Sequence, residues 1–211
     1  MKRFCFCIFL LVVVNAHAAS LPIDELPMYG GIEKTGDIKK GEEAMIAIIA
    51  KAGSSRETVA KDVIKTSFKY FKKGRISSAI KGFNHAWFLD PENGDVYYGF
   101  ALITESRKGN SEEIEKYYRM AVSKPRVSVE AYVDYGRFLL VQSRFDESLL
   151  LLQKALELSP AARNARANIS VVYFKKGDHA KACEWAKGAQ VNRDQLEPGY
   201  LEEMCQGGGT K

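Results

Sequence analysis

Small and bulky apolar residues recur along this chain with a long period. Gly74, Ala79, Phe83, Ala86 and Pro91 stand at fixed offsets, and a similar set, Gly177, Ala182, Ala186 and Ala189, returns 103 residues later, about three periods of 34. Gly136, Phe145, Leu152, Ala155 and Pro160 fall in the same frame between them. The period predicts four units, at about residues 60–93, 94–128, 129–162 and 163–196. Each splits into two helices near its fifteenth position, at Gly74, Gly109, Ser143 and Gly177. Glycine suits that point because a helix C-terminus often takes a left-handed residue. Pro91 and Pro160, with Pro125 near the matching place, stop the second helix, which a proline cannot continue. The second unit is one residue longer, with Lys108-Gly109 at its turn.

Side-chain size follows the same frame. Ala79, Ala86, Ala155, Ala182 and Ala189 are expected where neighbouring helices approach most closely, since a larger side chain there overpacks the contact by about 1–3 kcal/mol. Tyr70, Phe83, Tyr118, Tyr132, Phe145 and Tyr173 fill the gaps between them. Residues 19–59 flank the units as a leader and a helix. Pro22, Pro27, Gly30, Gly31 and Gly36 mark an irregular surface leader. Ile38, Met45, Ile48 and Ile49 fit a helix over 38–52 with Asp37 as its N-cap. Ser54 and Glu57 match a capping box for the helix that follows. After the last unit, within 197–211, Tyr200, Leu201 and Met204 fit a short amphipathic helix that covers the final apolar face.

These units resemble the tetratricopeptide repeat family over residues 60–196. The match is best in Y-F-K-K-G-R-I-S-S-A-I-K-G-F-N-H-A-W-F-L-D-P-E-N from Tyr70 to Asn93, and in Y-F-K-K-G-D-H-A-K-A-C-E-W-A-K-G-A from Tyr173. Departures are Val63 and Thr66 for the family's early Trp and Leu, Ala101 at its Gly position, and Ile114 and Ser148 where Ala is usual. The resemblance implies an all-α, right-handed superhelical solenoid of about four hairpins, with an N-terminal helix and a C-terminal capping helix. It also implies a binder of other proteins or peptides. In that family the first helix of each unit lines a concave groove. Carried over, the groove positions are Lys61, Ile64, Phe68, Phe71 and Lys72 in unit one, and Asp95, Tyr98, Leu102 and Glu105 in unit two. Unit three supplies Glu130, Val133, Arg137 and Leu140, and unit four Asn164, Ala167, Val171 and Phe174. Some members grip a C-terminal carboxylate with Lys, Arg and Asn on this face. Lys61, Lys65, Asn164 and Asn168 match that pattern in part. The row Lys61, Lys65, Lys69 and Lys72 or Lys73 reads either as a solvated face or as a docking stripe for an acidic partner.

The N-terminus changes the setting. Lys2 and Arg3, the apolar run Phe4–Val14 and Ala16-His17-Ala18 read as a signal peptide over residues 1–18, cleaved after Ala18. The run is too short to span a bilayer, so a periplasmic or secreted protein without a stable membrane span is expected. The chain's charge is +5, and losing Lys2 and Arg3, with no Asp or Glu in residues 1–18, leaves +3. So small a charge does not mark a nucleic-acid binder. Cys183 and Cys205 then remain in a compartment that tolerates disulfides, and only one pairing is open to them; two buried thiols are the alternative.

Chemistry is poorly represented. His85 and His179 are 94 residues apart and read as ordinary surface or packing histidines. There is no G-x-S-x-G elbow, phosphate loop or H-E-x-x-H. No catalytic residue, cofactor or metal is expected, and the chain reads as a non-enzyme. The leading reading is an exported scaffold that assists assembly of an envelope or secretion machine. A homo-oligomer whose groove takes a neighbouring copy's terminus, and an enzyme with a scattered site, are the alternatives. The leader Leu26-Pro27-Met28-Tyr29-Gly30-Gly31 either packs across the groove or forms a partner-binding tail.

Overall fold

A computed structural model of the protein describes residues 21–206, so the expected signal peptide lies outside the described residues. Helix α1 spans Gly36–Lys51, and four antiparallel pairs follow. They are α2 (Arg56–Lys72) with α3 (Ile76–Leu89), α4 (Gly94–Ser106) with α5 (Ser111–Ser123), α6 (Val129–Val141) with α7 (Phe145–Leu158), and α8 (Ala165–Lys175) with α9 (His179–Val191). Helix α10 (Tyr200–Gln206) packs on α9 and α8. Each pair packs mainly on the next, which makes an all-α solenoid, as the 34-residue period predicts.

The pairs turn on left-handed residues: Gly74 (φ 70°), Lys108 (φ 56°), Ser143 (φ 60°) and Gly177 (φ 80°). After each, a backbone N–H reaches back into the last turn of the helix, as from Arg75 to Tyr70 O and from Gly109 to Thr104 O, both at 2.9 Å. The left-handed residue of the second turn is therefore Lys108, not Gly109. Gly109 is needed for closeness instead: a Cβ there would lie 2.5 Å from Thr104 Cγ2. The extra residue is Asn110, which caps α5 two places past Lys108, whereas Arg75, Arg144 and Asp178 directly follow their left-handed residues.

Two further helix starts differ from the sequence reading. Thr35 precedes α1, which puts Asp37 inside its first turn. The cap of α2 is Ser55, one residue later than expected, with its Oγ accepting from Thr58 N at 3.1 Å.

The alanines Ala79, Ala86, Ala155, Ala182 and Ala189 are fully buried, as are Phe83 and Tyr118. Ser148, where the sequence reading expects a packing alanine, is fully buried, and its Oγ is satisfied by donating to Gly136 O at 2.7 Å. At the C-terminal end, Tyr200 Oη donates to Ala167 O at 2.8 Å and also bonds Ser170 Oγ, while Met204 is buried. Cys183 and Cys205, 22 residues apart, meet there with their Cα atoms 4.5 Å apart.

The leader forms two short 3-10 turns, Ile23–Glu25 and Pro27–Gly31. It lies against α3, with further contacts to Arg107 at the end of α4. It therefore does not run across the first-helix face.

Candidate functional site

The candidate face is built from α2, α4, α6 and α8, the first helix of each pair. Its centre is a connected set of side chains. Phe68 of α2 meets Tyr98 of α4 with ring centroids 5.4 Å apart, and meets Phe83 edge-on at 5.0 Å. Tyr98 Oη donates to Asp134 Oδ2 on α6 at 2.5 Å. Arg137, one turn further along α6, donates to both oxygens of Glu105 on α4 at 2.9 and 3.0 Å. Glu105 also accepts from Tyr118 Oη at 3.0 Å. Burial, and then the adjoining carboxylates, push the Tyr98 and Tyr118 hydroxyls well above the ordinary tyrosine value, so both stay donors. Burial also raises the Asp134 carboxyl, against the opposing pull of the Tyr98 hydrogen bond and Arg137.

Of the residues expected to line this face, the structure gathers Phe68, Tyr98, Leu102, Glu105 and Arg137. Others take different roles. Ile64 is 5% exposed and belongs to the core, so it is not a contact residue; Val133 and Ala167 are buried too. Tyr98 is 7% exposed, with its hydroxyl already engaged. Asn164 is left-handed (φ 64°), and its Oδ1 accepts from Gln195 N at 2.9 Å, which ties the segment after α9 to the start of α8. Asp95 makes the equivalent tie two units earlier, accepting from Ser128 N at 2.7 Å. Asn168, Val171, Phe71, Leu140 and Phe174 are half-buried.

Lys61, Lys65, Lys69, Lys72 and Lys73 are all exposed on α2. Among the described residues none of them enters an ion pair, although fifteen such contacts occur elsewhere. Sequence reasoning missed Asp134. Its position is not one of the family's groove offsets, and the available signal was its spacing of three residues from Arg137 on one helix. Among the described residues, no three His, Cys, Asp or Glu side chains cluster for a metal, and no helix is long and apolar enough to cross a membrane.

No protein-family model matches the chain. Among curated proteins it is similar to the type IV pilus assembly protein PilF of Pseudomonas aeruginosa, 23% identical over 174 residues. That match covers 81% of this chain and 66% of PilF, just under two thirds of the relative's length. The solved structure of Pseudomonas aeruginosa PilF superposes with a TM-score of 0.62 at 21% identity, covering 71% of this chain and 68% of that one. PilW, a type IV pilus biogenesis factor, gives 0.57 at 14% identity over 83% of this chain and 88% of its own. YrrB, a TPR protein with an unusual peptide-binding site, gives 0.55 at 16% identity over 77% and 82%. These likenesses establish the fold.

Proposed function

We propose that this solenoid, with the fold of tetratricopeptide-repeat proteins, is an exported scaffold whose first-helix face holds an extended or helical segment of another protein. The observation that carries the reading is the exposed, unpaired lysine row of α2, set beside the half-buried Phe68, Phe71 and Leu102. Apolar side chains supply area, and free ammonium groups supply attraction for acidic residues on the partner. The pilus roles named for PilF and PilW favour a client within a pilus-type assembly of the cell envelope.

The test is photocrosslinking from Leu102 or Phe71 in intact cells. The Lys61→Glu/Lys65→Glu double variant is expected to lower capture about tenfold or more, the size of losing two interface charges. Unchanged capture sinks the reading. Capture of a second copy of the chain instead turns it into a homo-oligomer.

Export is part of the same proposal. N-terminal sequencing of the mature protein is expected to start at Ala19. Non-reducing mass mapping is expected to recover one linked pair containing Cys183 and Cys205; two free thiols after export refute that part.

A further inference from the structure

We propose that the outer side of α3, with the end of α4 and the facing side of α5, is a second peptide-binding site, and that residues 21–31 are its reversible occupant in cis. This rests on contacts separate from the first-helix face and does not depend on what that face holds.

The leader is read as a peptide ligand is read. Asn84 Nδ2 donates to Asp24 O and Leu26 O, both at 2.9 Å, and Arg107 Nη1 donates to Glu25 O at 2.7 Å. Three successive carbonyls are thus held by two side chains of the solenoid. The side chains between them are recognised as well. Glu25 accepts from Ser77 Oγ at 2.6 Å and from Arg107 Nη2 at 3.2 Å, and Asp24 pairs with Lys81 at 2.8 Å. Tyr29 is 2% exposed and tilts against Trp87 at 6.4 Å. Asn84 is itself completely buried. A buried amide on the outer side of a helix is unfavourable unless something bonds it, and the leader is what bonds it.

The occupant is built to leave. Every backbone-to-backbone hydrogen bond described for residues 21–32 stays within the segment, so no helix loses a backbone hydrogen bond on release. The fit is also incomplete. Met28 (φ 51°) and Tyr29 (φ 55°) hold a left-handed backbone that disfavours L side chains. Asn84 Oδ1 is buried without a partner. Residues 32–35 connect the leader to α1, where Lys34 pairs with Glu42 at 2.6 Å and anchors the far side of the joint. Cutting before Lys34 therefore frees the leader and leaves that anchor in place.

The experiment uses the full mature chain with a site-specific protease sequence inserted between Ile32 and Glu33. After cleavage, a fluorescent peptide of residues 21–32 is the probe, read by anisotropy, with circular dichroism confirming retained helix. Saturable exchange is expected, weakened about tenfold or more by Arg107→Ala, since that guanidinium makes charged hydrogen bonds. Asn84→Ala is expected to act in the same direction. No exchange onto a folded, cleaved chain makes the leader a permanent part of the fold and overturns the proposal. Exchange that is indifferent to Arg107→Ala overturns the assigned contacts.

Discussion

At the scale of single residues, each hairpin turn needs one left-handed backbone, and the side chain there sets its cost. Gly74 and Gly177 meet the need freely, whereas Lys108 and Ser143 hold φ of 56° and 60° with a Cβ. Lys108→Gly and Ser143→Gly are each expected to stabilise the fold by about 1 kcal/mol, seen as a higher urea midpoint at unchanged slope. Gly109→Ala is expected to lower that midpoint, because the added methyl meets Thr104. The turns themselves were legible in the sequence, since glycine and proline spacing is a local signal. Which of Lys108 and Gly109 goes left-handed was not. That choice depends on the closeness of Gly109 to the Thr104 side chain, which spacing does not report. The same holds for Asn164, which sits at a groove offset but is drawn off by the backbone of Gln195.

At the scale of elements, charged side chains set how helices couple. Glu115 on α5 accepts from Arg119 at 2.6 Å, from Arg144 before α7 at 2.6 Å and from Tyr135 on α6 at 3.1 Å. Burial alone raises its carboxyl, but the Arg144, Arg119 and Tyr135 donors outweigh that and hold it below the ordinary glutamate value. A depressed folded value contributes stability above the unfolded value, lost as pH falls through the folded one. Acid titration of stability is therefore expected to fall more gently in Glu115→Gln than in the parent chain. Asp134 works in the opposite sense. Its raised folded value favours the protonated form, so its contribution is present at low pH and is lost as pH rises through that value. Asp134→Asn is expected to remove this loss. A denaturation midpoint measured across pH, parent against each variant, checks both signs. At the C-terminal end, Cys205→Ser is expected to cost about 3 kcal/mol for a loop of this length, with faster amide exchange confined to α10.

At the scale of the whole molecule, the solenoid is close to one-dimensional, because each pair leans mainly on its neighbours. That is why so much of the architecture was legible: one repeated frame of Ala, Gly and Pro specifies one repeated contact. The candidate face was legible only as a surface. Offsets say that Tyr98, Leu102 and Arg137 share it, but not that Tyr98 closes on Asp134 or that Ile64 sinks into the core. Those outcomes depend on what the adjoining helix presents, which a period does not encode. The two ends also differ in kind: α10 sets Cys205 against Cys183 of α9, where the proposed disulfide ties it back, while α1 and the leader are held by side-chain contacts. Under a stretching load this difference sets the order in which the two ends yield. The link between Cys183 and Cys205 withdraws 22 residues, about 75 Å of contour, from the extensible length. Tension is equal all along the chain, so α1 and the leader, which have no such tie, are expected to yield before α10 does.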